Sequence, residues 1–316
     1  MTRGYVGRFA PTPSGPLHLG SLLTAVASWL DAKSRRGRWL LRVDDLDTPR
    51  VDREAEPAIL ATLEAHGLAW DGSVHRQSDH VERYREAVDR LGARCFACDC
   101  TRRELRGLAR YPGTCRARQL TREGNALRAR GEIAAPGFMD RVQGRVDMGG
   151  RIVGDFIVQR RDGFASYPLA VVMDDLAMGV NNVVRGADLL DNTAEQLLLM
   201  GWLGIEPPNY AHLPVILEAS GVKLSKHNRA TAIDNRCAPV NLAAVLSLLG
   251  FDAPIDHVET MLAWAVGAWD IARLPRAASY AGFVAIGDGF VPSRAEYPVT
   301  SGQATARIAR TGLRTP

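Results

Sequence analysis

What the sequence lacks narrows the possibilities first. No stretch approaches the ~18–20 unbroken apolar residues that a membrane-crossing helix needs, although 46% of the 316 residues are hydrophobic. The opening run MTRGYVGRFAPTPSG has no apolar core of the kind a secretory leader carries, so the cytoplasm is the expected location. Neither GxxxxGK(S/T) nor GxGxxG occurs, which removes P-loop and dinucleotide-type phosphate sites. A large charge of one sign is missing too. The net charge of +4 permits an RNA partner without arguing for one. No internal repeat is found. The five cysteines are too few and too crowded for a disulfide framework. Cys95, Cys98 and Cys100 fall within six residues, which in a chain without a leader reads as metal ligation or reactive thiols.

What is present alternates. Tyr5–Ala10 is a short apolar strand closed by a Pro/Ser/Gly cluster at 11–16. Leu17–Ala32 has helical apolar spacing, Trp39–Val43 is a second apolar strand ending in Asp44, Asp45 and Asp47, and Glu54–His66 is an amphipathic helix. Strand, helix, strand, helix in this order predicts a parallel sheet with right-handed crossovers. Residues 95–150 break the rhythm and read as an insertion, so 1–94 and 151–235 would be two halves of one sheet domain. Asp155–Arg160 and Phe164–Val172 flank an Asp-Gly pair and predict a β-hairpin. A helix over Asp188–Leu203, a strand over His212–Leu217, a loop over 218–229 and a helical segment over 236–279 follow. Beyond 280 the Gly/Ser/Thr/Arg-rich sequence has no periodicity, predicting a flexible tail.

Two motifs lie far apart. His18-Leu19-Gly20-Ser21 sits between the first strand and the first helix, where free backbone N–H groups at a helix start can meet a phosphate. About 200 residues later, Lys223-Leu224-Ser225-Lys226 occupies a loop from which two lysines could neutralise a leaving pyrophosphate. Alone, the histidine reads as a helix cap or packed residue, and the lysines as a solvated loop. Together they resemble the paired signatures of class I aminoacyl-tRNA synthetases. The segments Arg8–Gly20, Arg42–Arg50, Tyr167–Asp175 and Val184–Asp188 resemble the glutamyl subgroup more closely, in its short, queuosine-directed branch. The resemblance spans roughly residues 5–275 and excludes the tail.

This resemblance implies an α/β fold: a Rossmann-like, doubly wound parallel sheet, an inserted zinc-bearing subdomain and a short helical C-terminal segment. It implies a glutamate pocket made by Arg8, Ala10, Thr12, Asp44, Tyr167 and Arg185. Two arginines suit a side-chain carboxylate, which they can grip with forked, charge-assisted bonds. It implies an ATP site at His18, Gly20, Ser21, Lys223, Leu224, Ser225 and Lys226, with Mg²⁺ accompanying the nucleotide and His18, Lys223 and Lys226 carrying catalysis. Two residues depart from the family pattern. Asp44 stands where a glutamate is usual, one methylene shorter toward the substrate ammonium. Ser21 stands where most class I enzymes have histidine or asparagine.

Cys98, Cys100 and Cys115 supply three thiolates, and a closed structural zinc site wants four ligands. From the residues alone Cys95 is the obvious fourth. The resemblance favours Tyr111 instead, four residues before the last cysteine. Buried thiols without metal are the bland alternative, and Cys237 stands apart as inert. Nine arginines against two acids in 101–130 suit a phosphate backbone, or else form an ordinary solvated face. The implied reaction is two-step: glutamate plus ATP gives glutamyl-adenylate, and a hydroxyl of queuosine in tRNA(Asp) takes the glutamyl group. The rivals are a shortened conventional glutamyl-tRNA synthetase and a non-catalytic RNA-binding paralogue. Only 90 residues follow Lys226, which speaks against an anticodon-reading region. Retention of His18, Lys223 and Lys226 speaks against an inactive copy. A monomer is the default expectation.

Overall fold

The computed structural model describes residues 4–218, 231–277, 279–286 and 289–292. The chain opens with β1 (Val6–Phe9), α1 (Leu19–Lys33), β2 (Arg38–Val43), α2 (Ala55–Ala65), β3 (His75–Arg76) and α3 (Val81–Leu91). Next come β4 (Cys95–Cys98), β5 (Ala126–Ala129), β6 (Ile133–Ala134), β7 (Phe138–Asp140), β8 (Gly144–Val146), β9 (Ile152–Val153) and β10 (Phe156–Gln159). The remainder is α4 (Tyr167–Ala177), β11 (Asn182–Gly186), α5 (Leu190–Leu203), β12 (Asn209–Leu213), β13 (Val215–Glu218), α6 (Ala238–Leu248), α7 (Val258–Ala268), β14 (Ser279–Ile286) and β15 (Gly289–Pro292).

The central sheet is parallel where the sequence pattern requires it. β2 pairs in parallel with both β1 and β3. β12 pairs in parallel with β11 and, through Tyr210 and Asp140, with β7. The halves meet where Asn181 N–H donates to the Val6 carbonyl at 3.0 Å. Successive strand side chains point to opposite faces, and the two faces here differ in chemistry. Phe9, Trp39 and Leu41 join Leu22, Val26 and Leu30 of α1 in a core that also takes in Leu242 and Val245 of α6 and Met261 and Leu262 of α7. Arg8 and Arg42 project the other way, to Asp175 of α4. Helices on both faces make the sheet doubly wound. The C-terminal helices share the core of α1 and, among the described residues, have no core of their own.

Four expectations need correction. Phe164–Val172 is not the second strand of a hairpin. Gln159 and Ala165 form only an isolated bridge, and α4 starts at Tyr167 with Ser166 as its N-cap residue and Pro168 in its first turn. A proline there is pre-organised for a helix start. The run from Leu169 to Met173 is buried all round, so no amphipathic period announced the helix. The insertion does not extend in space to residue 150, because β7 and its hairpin partner β8 join the sheet of β11 and β12. Nor is the chain irregular directly from 280: β14 pairs in parallel with β13 and antiparallel with β15, while residues 293–316 of the expected tail lie outside the described residues. The expected strand over His212–Leu217 is split by Pro214, a residue that cannot donate to a ladder.

Candidate active site

One cavity of about 250 Å³ opens at the C-terminal ends of β1, β2 and β11, where ligands enter doubly wound sheets. Its wall includes Arg8, Ala10, Thr12, His18, Gly20, Ser21, Asp44, Tyr167 and Arg185, and thus every glutamate-pocket residue expected from the sequence together with the first nucleotide motif. Lys223, Leu224, Ser225 and Lys226 lie outside the described residues. Arg42 and Asp188 also line the cavity and were missed. The signal for Arg42 was its place two residues before Asp44, at the end of β2.

Arg42 is wholly buried. Its Nε donates to Asp44 Oδ1 at 2.6 Å, its Nη2 to Asp44 Oδ2 at 3.4 Å and its Nη1 to Asp175 Oδ1 at 2.6 Å. Asp175 also receives Arg8 Nε at 3.1 Å. Burial pushes the Asp44 carboxyl up, and Arg42 works against that shift. A carboxylate gripped by one guanidinium still has free lone pairs, so Asp44 can face an ammonium while Arg42 holds it.

Arg185 is buried. Its Nη2 donates to Thr193 Oγ1 at 2.8 Å and its Nε to His212 Nε2 at 3.0 Å, while its guanidinium carbon lies 5.1 Å over the Tyr210 ring. Nη1, also buried, has no hydrogen-bond partner among the described residues. Leaving such a donor unpaired costs about 1–3 kcal/mol, more when it is charged. An anionic ligand in the cavity would satisfy it. Tyr167 opens α4 at the cavity wall, and burial pushes its phenol up, against the pull of Arg185. A side chain on Gly186 would lie 2.3 Å from Asp188 Oδ1, so glycine permits the close approach of that carboxylate.

His18 is the N-cap residue of α1. Ser21 N–H donates to His18 Nδ1 at 3.3 Å and His18 N–H donates to Ser21 Oγ at 2.8 Å, a reciprocal capping box. Acceptance at Nδ1 puts the proton of a neutral ring on Nε2. The serine that departs from the usual signature therefore has a local role: it fixes the backbone and ring of His18.

The thiols of Cys98, Cys100 and Cys115 lie within 4.8 Å of one another. Tyr111 Oη is 3.5 Å from Cys98 Sγ and 3.8 Å from Cys100 Sγ, and Cys100 Sγ is 3.5 Å from Cys115 Sγ. A zinc tetrahedron with ~2.0–2.3 Å bonds has edges of roughly 3.5–3.8 Å, so this donor set fits the ion. Cys95 falls outside the cluster, and burial pushes its thiol up to about 11. Arg128 Nε donates to Cys98 Sγ at 3.3 Å, and its guanidinium lies 4.0 Å over the Tyr111 ring. Although burial opposes it, the hydrogen bond shared with Tyr111 and the one received from Arg128 hold the Cys98 thiol down to about 7.

The arginine run does not form one face. Arg128 is buried, Arg116 pairs with Asp155 through two 2.6 Å bonds, and Arg118 and Arg122 pair with Asp99 and Asp89 at 2.7 Å. Arg130 Nε donates to the Ala93 carbonyl at 3.2 Å. Arg102, Arg103, Arg106 and Arg110 are exposed.

Comparison with known proteins places these features in a lineage. The chain belongs to the tRNA synthetases class I (E and Q), a family of ligases whose catalytic-domain model matches residues 5–251. It is 48% identical over 287 residues to a glutamyl-Q tRNA(Asp) synthetase of Pseudomonas aeruginosa (strain LESB58), covering 88% of this chain and 98% of that protein. It is 48% identical over 281 residues to a glutamyl-Q tRNA(Asp) synthetase of Methylococcus capsulatus (strain ATCC 33009 / NCIMB 11132 / Bath), covering 86% and 93%. The fold matches a crystal structure of glutamate-tRNA synthetase from Elizabethkingia anophelis with a TM-score of 0.75 at 22% identity, over 88% of this chain and 68% of that one. No helix among the described residues is long and apolar enough to cross a membrane.

Proposed function

We propose that this enzyme uses ATP to activate glutamate as glutamyl-adenylate and transfers the glutamyl group to the queuosine base of tRNA(Asp). The buried, unpaired Nη1 of Arg185 in the cavity wall carries the first half of this reading. It is a fixed cation waiting for an anion, in a family that joins glutamate or glutamine to tRNA. The names of the relatives carry the second half.

In this reading Arg185, Arg8 and Tyr167 take the side-chain carboxylate, and Asp44 takes the α-ammonium. The α-carboxylate attacks the α-phosphate of ATP, and pyrophosphate leaves. His18 and Lys226, helped by Lys223, neutralise charge on the phosphates; Gly20, Ser21, Leu224 and Ser225 shape the nucleotide site, and Mg²⁺ accompanies ATP. A hydroxyl of the queuosine cyclopentene-diol then attacks the activated carboxyl and releases AMP. Catalysis is alignment and charge stabilisation, with no covalent enzyme intermediate. Zinc held by Cys98, Cys100, Cys115 and Tyr111 would brace the subdomain within 95–150. Residues 1–94 and 151–235 supply the two halves of the catalytic domain, 236–279 its helical support, and the cytoplasm is the compartment.

The deciding experiment incubates the enzyme with labelled glutamate, ATP and either queuosine-containing or queuosine-free tRNA(Asp). The expected label appears only with queuosine. Label on the 3′ end of tRNA(Glu) would make this a conventional glutamyl-tRNA synthetase. Absence of glutamate-dependent pyrophosphate exchange would make it a binding protein.

A further inference from the structure

Among the buried polar chains that the reaction above leaves unused, one lies directly behind Arg185. Asp140, at the end of β7, accepts backbone N–H groups from Val142 at 2.9 Å, Gln143 at 2.8 Å and His212 at 3.1 Å. Its Oδ2 sits 2.6 Å from His212 Nδ1, with both side chains fully buried. Once Nδ1–H donates to this carboxylate, the neutral ring presents a lone pair at Nε2, and Arg185 Nε donates to it at 3.0 Å. The other end of the guanidinium is tied down as well. Nη2 donates to Thr193 Oγ1, whose hydroxyl donates to the Leu189 carbonyl at 3.2 Å. With Nε and Nη2 fixed, Nη1 has one orientation.

We propose that Asp140 and His212 are positioning residues for recognition of an anionic substrate side chain: Asp140 holds His212 in the tautomer that accepts from Arg185, and this aims Nη1 at the substrate carboxylate. The inference rests on the glutamate reading given above. It also says what would undo recognition. An imidazolium has no lone pair for Arg185 and sets a second positive charge against the first. Facing His212 are Asp140 of β7, Arg185 of β11, Asp188 of the turn that follows β11, Thr193 of α5, Tyr210 of its own strand and the Phe138 ring. Burial holds its pKa below the ordinary 6.5; the Asp140 bond opposes this shift and Arg185 adds to it. The lone pair therefore persists at neutral pH and is lost only in acid.

The test measures the glutamate KM and kcat of pyrophosphate exchange, with and without tRNA, against pH. The proteins are the wild type, His212→Asn, His212→Gln and Asp140→Asn. Asparagine can still reach Asp140 but has nothing near the Nε2 position; glutamine carries an amide oxygen out to it. His212→Asn should raise the glutamate KM roughly 10–100-fold, the scale for an unpaired buried charged donor, with kcat and the ATP KM little changed. Asp140→Asn should raise it in the same direction. His212→Gln should recover much of the loss, and the rise in wild-type KM at acid pH should be missing from that variant. An unchanged glutamate KM in a folded His212→Asn protein would overturn the inference. If that variant does not fold, His212→Gln decides, because an acid limb retained there overturns it equally. Wild-type protein without any glutamate-dependent exchange would instead bring down the underlying reading, so the two failures are distinguishable.

Discussion

Arg42, near the end of β2, and Asp44, the first residue beyond that strand, are joined side by side, two bonds from the guanidinium meeting the two oxygens of the carboxylate. The pair is buried, and Arg42 is shared with Asp175 at 2.6 Å. Removing one member of a buried charged set costs about 3–5 kcal/mol, because its partners stay buried without compensation. Arg42→Met should therefore lower the stability of the protein by that order in denaturant unfolding, with Asp44 stripped of the guanidinium that holds it and Asp175 left with Arg8 alone. Asp44→Asn should cost less stability, because it keeps one oxygen for Arg42, yet raise the glutamate KM by about tenfold, as loss of one charge-assisted contact does. A variant at Asp44 that loses stability but keeps the wild-type KM would remove Asp44 from the pocket.

The cysteine cluster separates two candidates for the fourth ligand. Cys98, Cys100 and Cys115 converge on Tyr111, and Cys95 stands apart. Wild-type protein should hold about one zinc per chain, as a closed structural site does. Cys115→Ser should lose that metal and Tyr111→Phe should hold it more weakly, while Cys95→Ser should retain it. Metal analysis after gel filtration in a mild chelator reads all four. Loss of zinc from Cys95→Ser alone would reverse the assignment.

Much of this arrangement could be read in the sequence because the residues that bind also sit at element ends. His18 caps α1 after the Pro/Ser/Gly loop, so strand-loop-helix logic locates it, whereas Arg8, on β1 just before that loop, is placed in the pocket by the family resemblance. Tyr167 was placed among the pocket residues while its segment was read as strand. The wholly buried side of α4 carries no period, and only Ser166 and Pro168 mark the start. Arg42, Asp140 and His212 were not singled out for a role in the site. Only the Arg42–Asp44 pair is local; Asp140 meets His212 across 72 positions and Arg42 meets Asp175 across 133, and no local pattern encodes contacts of that span. The arginine run shows the converse. Spacing made it one patch, and folding divided it between internal ion pairs and an exposed loop.

Stability should fall on mild acidification. His66 and His212 have folded pKa values below the ordinary 6.5, burial being the first cause for each. A histidine with a depressed folded pKa binds its proton more readily in the unfolded chain. Stability is then full above the unfolded pKa and declines as pH drops below 6.5 toward the folded values. A second loss should begin below 3.8, where Asp31, Asp140 and Asp174 are held down by hydrogen bonds from Arg141, His212 and His75 that outweigh burial. Asp44, shifted the other way, acts above this window: it takes up its proton first in the folded protein and adds stability as pH falls toward 3.8. Thermal melts across pH 8 to 5 at fixed ionic strength test the first window. A flat melting temperature there would mean that neither histidine titrates differently on folding.

The exposed arginines supply the last prediction. Arg102, Arg103, Arg106 and Arg110 lie within nine residues of the loop that follows Cys100, and none forms an ion pair among the described residues. Arg116, Arg118 and Arg122 are engaged with Asp155, Asp99 and Asp89. Lysine and arginine contacts to phosphate release counterions, so binding weakens as salt rises with a slope set by the number of phosphates met, about 0.7 per contact for single strands. If this loop holds the RNA, alanine at all four exposed positions should weaken tRNA binding and reduce the salt slope by up to roughly 3. The glutamate KM in pyrophosphate exchange should stay unchanged, because the loop lies outside the activation cavity. Alanine at Arg116 should instead destabilise the subdomain, since it strands the buried Asp155. Filter binding of tRNA from 50 to 300 mM salt makes the measurement, and an unaltered slope in the fourfold variant would move the RNA contact to another surface.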